Sequence, residues 1–142
     1  MDYRKHRTKL FWLHLISAPF IWLPLPFIIM LDLVTALYQF ICFPIYGIAW
    51  VKRSEYILIM DRNKLDYLNP LEKLGCMYCG YSNGLFLYLK EVAGRTEKYW
   101  CGIMHEGKPG FKVQEDQIKQ DFAKFNDKED LEKKYAEVED DK

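Results

Sequence analysis

An apolar run of 42 residues, from Leu10 to Val51, constrains this chain more than any other feature, and its only formally charged residue is Asp32. A single domain of 142 residues does not need such a run in a soluble core. The run is also too long and too aromatic for a secretory signal peptide. One helix crosses the hydrocarbon layer with about 20 apolar residues. The sequence therefore predicts a membrane-embedded segment that is about twice the length of one crossing.

Two prolines predict where this segment breaks. Pro24 and Pro26, in the sequence LPLP, each remove a backbone donor and clash with the preceding turn of a helix. Basic residues flank both ends of the run, and basic flanks are typical of the cytoplasmic side. These residues are Arg4, Lys5, Arg7, Lys9, Lys52 and Arg53. We therefore expect a helical hairpin or two transmembrane helices in the lipid bilayer, with both termini in the cytoplasm.

Asp32 is an ionisable residue within the predicted membrane segment. Such residues are costly in a bilayer and are candidates for function by default. The alternative is that Asp32 caps the second arm or lies near the turn or the headgroups. Since it follows Pro26 by six residues, the sequence favours this ordinary role.

A helix is predicted to begin near Pro70. Asn69 fits the N-cap position, Pro70 the first helical position and Glu72 the third position of a capping box. Two interpretations then compete for residues 85–103. Abundant Leu, Ala, Glu, Lys and Arg favour a helix, and the alternative is a β-hairpin that turns at residues 93–95.

Three cysteines and a histidine form the candidate metal site: Cys76, Cys79, Cys101 and His105. Three thiolates and one imidazole suit zinc, with iron as a second choice. On one continuous helix these residues share a face, but Cys76 and Cys101 stand roughly 37 Å apart. A complete site therefore requires the chain to fold back near residues 91–94, or the β-hairpin, or two chains that pair antiparallel.

The same residues allow two other interpretations. Cys76 and Cys79 could be a redox pair, or all the cysteines could simply pack. Candidate residues around the metal are Asn83, Glu91 and Glu97. Salt bridges to neighbouring bases are the ordinary role of the two glutamates, and a small-residue packing surface is the alternative role of the region around Asn83.

The composition beyond residue 106 is polar and acidic. Residues 106–142 hold eight lysines and twelve acids. Apolar residues recur at helical spacing, which predicts an amphipathic helix or a disordered tail over residues 107–142. They are Ile118, Phe122, Phe125, Leu131, Tyr135 and Val138.

The predicted fold class is mainly α: a membrane-embedded helical hairpin, a small cytoplasmic helical module and a polar C-terminal tail. The predicted boundaries are residues 1–9 for the basic flank, 10–51 for the hairpin, 52–106 for the Cys/His module and 107–142 for the tail. No phosphate-binding loop, dinucleotide-binding turn or zinc-protease motif occurs in the sequence, which weakens the case for an enzyme. No basic patch with aromatics lies outside the apolar run, so nucleic acid is not an expected partner.

Three segments carry a resemblance: CFPIYGI, YILIMDRNKLDYLNPLEKLGCMYCGYSNG and YLKEVAGRTEKYWCGIMHE. They resemble a family of small uncharacterised bacterial membrane proteins with a Cys-x-Tyr-Cys segment and a Thr-Glu-x-Tyr-Trp-Cys-x-Ile-x-His segment. The likeness covers about residues 31–106. Proline usually follows the third cysteine in that family, whereas Gly102 stands here. The resemblance implies a bacterial inner-membrane location, but no activity.

Three functional hypotheses follow from the sequence. The leading one is a small membrane-anchored protein with a Cys3His zinc site in a structural or assembly role. The second is a metal-free accessory subunit that scaffolds a larger membrane complex or a homo-oligomer. The third is a membrane thiol oxidoreductase that uses Cys76 and Cys79.

Overall fold

The structure is a computed structural model that describes residues 11–59, 61, 64, 66, 68 and 70–139. The predicted basic flank at residues 1–9 and the predicted cap at Asn69 lie outside the described residues. Five α-helices and one 3₁₀ turn at Arg53–Glu55 are present in the described part. The helices are α1 (Phe11–Trp22), α2 (Leu25–Tyr46), α3 (Pro70–Trp100), α4 (Glu115–Lys119) and α5 (Lys128–Glu139). The described residues include no strand, so the mainly helical prediction is confirmed.

The interruption between α1 and α2 consists of Leu23 and Pro24. The backbone N–H of Leu23 donates to the Pro19 carbonyl at 2.9 Å, and that of Ile28 donates to the Pro24 carbonyl at 3.0 Å. Pro24 and Pro26 have no N–H to donate, which explains why the regular pattern lapses here. Helical bonding resumes within one turn.

The stretch Leu15–Tyr46 is long and apolar enough to cross a membrane, and its most apolar part has a mean hydropathy of 2.1. Only 17% of its most apolar window is buried. Large apolar side chains instead face outward along both helices. Examples are Ile16, Phe20, Leu33 and Phe40. A water-soluble core helix would bury such side chains, whereas a membrane helix turns them towards lipid.

The chain divides into two compact units between Leu37 and Tyr38. The second unit, described as far as residue 139, is called the head below. Its core forms where the end of α2 and the segment 47–59 pack on α3. The largest fully buried side chains there include Phe43, Val51, Leu85 and Tyr88.

The segment 47–59 follows α3 in the opposite direction. Arg95 Nη1 donates to the Ala49 carbonyl at 2.7 Å. Further along, a Cβ placed on Gly84 would lie 2.5 Å from the Tyr56 carbonyl oxygen, and one on Gly80 would lie 3.4 Å from the Leu58 carbonyl oxygen. The two glycines, four residues apart, therefore form a shallow groove that lets an extended backbone approach α3 closely.

The chain leaves α3 through Gly102, whose φ of +61° is a left-handed conformation that suits glycine. Residues 102–104 then pair with residues 122–124. The Ala123 N–H donates to the Gly102 carbonyl at 2.7 Å, and the Met104 N–H donates to the Ala123 carbonyl at 2.8 Å. This short parallel bridge buries Phe122 and Ala123 and holds the C-terminal residues against α3.

The apolar residues predicted as one amphipathic stripe do not share a helix. α4 ends at Lys119 and α5 begins at Lys128. Asp121 and Asn126 lie between them with φ values of 52° and 56°, which an α-helix cannot contain. Phe122 is consequently buried, while Ile118 remains 65% exposed.

Candidate functional site

The structure separates the four predicted metal ligands into two groups. Cys76 and Cys79 lie in the first turns of α3, and Cys101 follows its last residue. α3 is unbroken from Pro70 to Trp100, so both the fold-back near residues 91–94 and the β-hairpin alternative are wrong. Cys76 and Cys101 are therefore about 37 Å apart along the helix. Among the described residues, no three His, Cys, Asp or Glu side chains gather into a metal-binding group.

Cys101 and His105 do not occupy successive turns of one helix. α3 ends before Cys101, and Gly102 redirects the chain. His105 packs edge-on against Phe111, with the ring centroids 5.6 Å apart. Its Nε2 lies 3.9 Å from Glu97 Oε1, at the long limit of an ion pair. His105 is thus held by the C-terminal loop and by Glu97.

Cys101 lies where α3 meets α5. Tyr135 donates from its hydroxyl to the Lys98 carbonyl at 3.2 Å, which satisfies one of the orphan carbonyls at the end of α3. Burial raises the pKa of Tyr135, and Cys101 adds a smaller electrostatic contribution in the same direction. The Cys101 side chain itself is exposed.

The three residues proposed around the metal have structural partners. Asn83 Nδ2 donates to the Cys79 carbonyl at 2.9 Å. Arg95 Nε donates to Glu91 Oε1 at 2.8 Å. Gln117 Nε2 donates to Glu97 Oε1 at 3.0 Å, which ties α4 to α3. Salt bridges to neighbouring bases were the alternative prediction for both glutamates. Glu91 forms such a salt bridge with Arg95, whereas Glu97 accepts a hydrogen bond from Gln117.

Among the described residues, the face of α3 that carries the cysteines is exposed at Cys79 and covered near the other end of the helix. At about 100° per residue, Cys76 and Gly94 share the same rotational position on the helix. A Cβ placed on Gly94 would lie 3.1 Å from Gln120 Nε2 and 3.3 Å from Asp116 Cβ. The face is therefore covered near Gly94 by α4 and the residue that follows it, whereas Cys79 is exposed.

Cys76 and Cys79 are free thiols in a setting that admits a ligand. Cys76 is half-buried and Cys79 exposed. Beside them, a Cβ on Gly75 would meet no atom of the described residues within 4 Å, so these residues leave the backbone there open to close approach. Side chains three residues apart on a helix have Cβ atoms about 5–6 Å apart. Two thiolates at this spacing can bind one metal ion, which then needs two further ligands.

Asp32 lies in α2 with only 8% of its surface exposed, and it has an interaction partner. Thr35 and Gln39 are also buried and continue the same face of α2 at spacings of three and four residues. This polar stripe was not predicted from the sequence. The spacing of these three residues could have indicated it, because polar residues at helical spacing within an apolar run predict a buried polar face.

An aromatic cluster at the end of α2 was also missed. Tyr46 stacks on Tyr99, with centroids 4.9 Å apart, and meets Trp100 edge-on at 5.3 Å. Trp100 remains 63% exposed, and Trp50 is exposed as well. No sequence signal pairs Tyr46 with residues more than fifty positions away.

Comparison of the chain with protein families, with curated proteins and with solved structures found no match.

Proposed function

We propose that this chain is a small membrane-anchored protein with a structural or assembly role, in which α1 and α2 form the anchor of the head. The outward-facing apolar side chains of Leu15–Tyr46 carry the proposal. Exposing so many large apolar side chains to water is unfavourable, at roughly 25 cal/mol per Å² of apolar surface. Lipid removes that cost. Phe43, near the end of α2, is buried within the head.

The aromatic cluster supports the same proposal. Tyrosine and tryptophan concentrate at the level of lipid headgroups, because their rings are apolar and their N–H or O–H groups need water. Tyr46 is the last residue of the candidate span, and it contacts Tyr99 and Trp100. This cluster would place the end of α3 at the membrane surface.

Matched lysine substitutions test the anchor. Leu33 and Leu58 are exposed almost equally, at 67% and 66%, but only Leu33 lies in the candidate span. Lysine at the centre of a membrane helix costs about 2.5–3.5 kcal/mol on an insertion scale. Leu33→Lys should reduce recovery of the chain in carbonate-washed membranes, whereas Leu58→Lys should not. Equal recovery of both variants would contradict the anchor.

The proposed topology is a hairpin or two crossings with both termini in the cytoplasm of a bacterial cell, in the inner membrane. The basic flanks of the apolar run support it. Reporter enzymes fused separately to each terminus test it, since a single crossing would place the termini on opposite sides. Activity of a periplasm-specific reporter at one terminus alone would refute the hairpin.

A zinc-binding role is the second proposal, and the accessibility of Cys76 and Cys79 supports it. A Cys3His site of this kind takes Cys76 and Cys79 from one chain and Cys101 and His105 from another, since α3 holds the two groups apart. It predicts about one zinc per chain when each chain contributes both groups. Metal analysis of the purified protein tests it. Less than half an equivalent of zinc or iron, unchanged by Cys101→Ser, would exclude the Cys3His site.

Two further roles make different predictions. A metal-free accessory subunit would purify with a larger membrane complex and would tolerate substitution of its cysteines. A thiol oxidoreductase would form a mixed disulfide with its substrate through Cys76 or Cys79, which a Cys→Ser variant of the other residue would trap.

A further inference from the structure

We infer that Cys76 and Cys79 of two copies of this chain bind one zinc ion together, so that the partner of the exposed cysteine face is a second copy. This inference rests on the proposed zinc-binding role, but it assigns four thiolate ligands instead of three thiolates and an imidazole. It concerns only the N-terminal part of α3, where Cys79 is exposed.

The pair has the geometry of half a tetrahedral site. Zinc binds thiolate at about 2.3 Å, which places two sulfurs of one tetrahedron about 3.8 Å apart. Cys76 and Cys79 start from Cβ atoms about 5–6 Å apart, and their sulfurs can converge from there. Both thiols are free, and Cys79 is exposed. No third ligand joins them within the described part of one chain.

The surroundings of the pair admit a second helix. Helices pack at interaxial distances of about 8–10 Å, and small residues permit the closest approach. Gly75 precedes Cys76 directly, and no atom of the described residues would lie within 4 Å of a Cβ on it. Gly80 is different, because the Leu58 carbonyl oxygen already approaches it. Within the described part of the chain, the exposed side of the helix is thus the side of Gly75 and Cys79.

Symmetry favours the shared pair over the Cys3His site. A closed two-fold dimer with two Cys3His sites would align two α3 helices antiparallel over the whole length from Cys76 to Cys101. Asp116 and Gln120 cover the intervening face at Gly94, so both would have to move before this alignment could form. Head-to-tail joining of the same ligands would instead produce rings or open chains of more than two copies. Two helices that cross at Cys76 and Cys79 close the site with a local contact.

The binding step is balanced in charge and protons. Four thiols and one Zn²⁺ give one zinc tetrathiolate and four protons, which is two protons per chain. No electron is transferred, so the reaction needs neither an oxidant nor a reductant. The step requires only that the thiols be reduced, as they are in the cytoplasm.

The test uses the full chain purified in detergent with a phosphine reductant. Zinc is added, unbound metal is removed, and zinc per chain and protein mass by light scattering are measured with and without EDTA. We expect about one zinc per two chains and a dimer that EDTA converts to monomer. Cys76→Ser and Cys79→Ser should abolish both results, and Cys101→Ser and His105→Ala should leave both unchanged.

A second pair of variants keeps all the thiols. Gly75→Leu should prevent the zinc-dependent dimer by blocking close approach, while leucine improves helix propensity and so preserves the fold. Ala93→Leu is the matched control, because residue 93 has the same rotational position as residue 75 at about 27 Å along the helix. Ala93→Leu should dimerise normally.

The outcomes separate the proposals. About one zinc per chain that Cys101→Ser removes would overturn the shared pair and support the Cys3His site. No bound zinc would overturn both zinc sites and leave the membrane anchor standing. A mass that does not differ between zinc and EDTA would also overturn the shared pair, as would normal zinc-dependent dimerisation of Gly75→Leu.

Discussion

Tyr88 and Gln39 join α3 to the end of α2 through a buried hydrogen bond, in which the tyrosine hydroxyl donates to Gln39 Oε1 at 3.3 Å. The other end of the same amide, Gln39 Nε2, donates to the Val51 carbonyl at 3.0 Å. Gln39 is fully buried. One side chain therefore links a helix from the apolar run, the segment that follows it and the long helix of the head.

Replacing the Gln39 amide should lower the free energy of unfolding of the head, because the amide joins α2, the segment 47–59 and α3. Gln39→Leu keeps a similar volume but leaves the Val51 carbonyl oxygen without its donor, and a buried unsatisfied group costs about 1–3 kcal/mol. Tyr88→Phe removes one hydroxyl and should cost less, about 1 kcal/mol. Urea unfolding of the purified protein in detergent measures both. Equal stability of Gln39→Leu and the original chain would show that the amide does not hold the head together.

Two glycines of α3, Gly84 and Gly75, differ in how closely other parts of the chain approach them. A Cβ at Gly84 would lie 2.5 Å from the Tyr56 carbonyl oxygen, whereas one at Gly75 would have no atom of the described residues within 4 Å. Gly84→Ala should therefore destabilise the head by about 1–3 kcal/mol, since backbone must move. Gly75→Ala should stabilise it by up to about 1 kcal/mol through helix propensity. Thermal unfolding of the two variants side by side gives the sign of each change, and the same sign for both would refute the groove.

These glycines show what local sequence can and cannot predict. The helical composition around Leu85 to Val92 predicted α3, because propensity and periodicity are properties of the segment itself. The backbone that fills the Gly84 groove was not predictable, since it comes from Tyr56, 28 positions earlier. Small residues indicate a close approach but do not identify the element that makes it.

The metal-site prediction had the same limit. Spacing showed that Cys76 and Cys101 share a helical face, and rise per residue showed that a straight helix keeps them apart. The extent of α3 decided between the alternatives within one chain. The same face is covered at Gly94 by Asp116 and Gln120. A loop separates these two residues from the end of α3. The residue pattern of one segment does not predict such contacts with a distant segment.

Acid should weaken the attachment of α5 through Asp130. The Lys124 backbone N–H donates to Asp130 Oδ2 at 2.8 Å, and Lys134 Nζ lies 3.4 Å from the same oxygen. The backbone hydrogen bond is the main cause that lowers the pKa of Asp130 below its ordinary value of 3.8, and Lys134 adds to it. The stabilisation is therefore fully present above pH 3.8 and is lost as pH falls through the lower pKa of the folded state.

Asp130→Asn tests this origin of the acid sensitivity. The variant should be less stable at neutral pH, and its stability should fall less steeply between about pH 4 and pH 2. Glu129→Gln, at the exposed neighbouring position, is the control and should keep the original slope. Unfolding is measured at each pH by tryptophan fluorescence. An unchanged slope in Asp130→Asn would assign the acid sensitivity to another group.

Replacing Arg95 with lysine should destabilise the head, although the positive charge is kept. Its guanidinium donates through Nη1 to the Ala49 carbonyl at 2.7 Å and through Nε to Glu91 at 2.8 Å. A planar fork can hold both partners at once, whereas a single ammonium on a flexible stem cannot reproduce that geometry. Arg95→Lys should therefore cost about 1.5–3 kcal/mol, the range for a hydrogen bond to a charged group.

Arg95→Lys should loosen the segment around Ala49 in addition to lowering the stability of the whole head. Amide hydrogen exchange of residues 48–51 in the purified protein should rise in Arg95→Lys, because Arg95 holds the carbonyl of Ala49 against α3. Lys112→Arg, the reverse exchange at an exposed position, should leave that protection and the stability within about 0.5 kcal/mol of the original. Equal protection of residues 48–51 in both variants would mean that apolar burial, above all of Val51, holds this segment on α3 without the arginine.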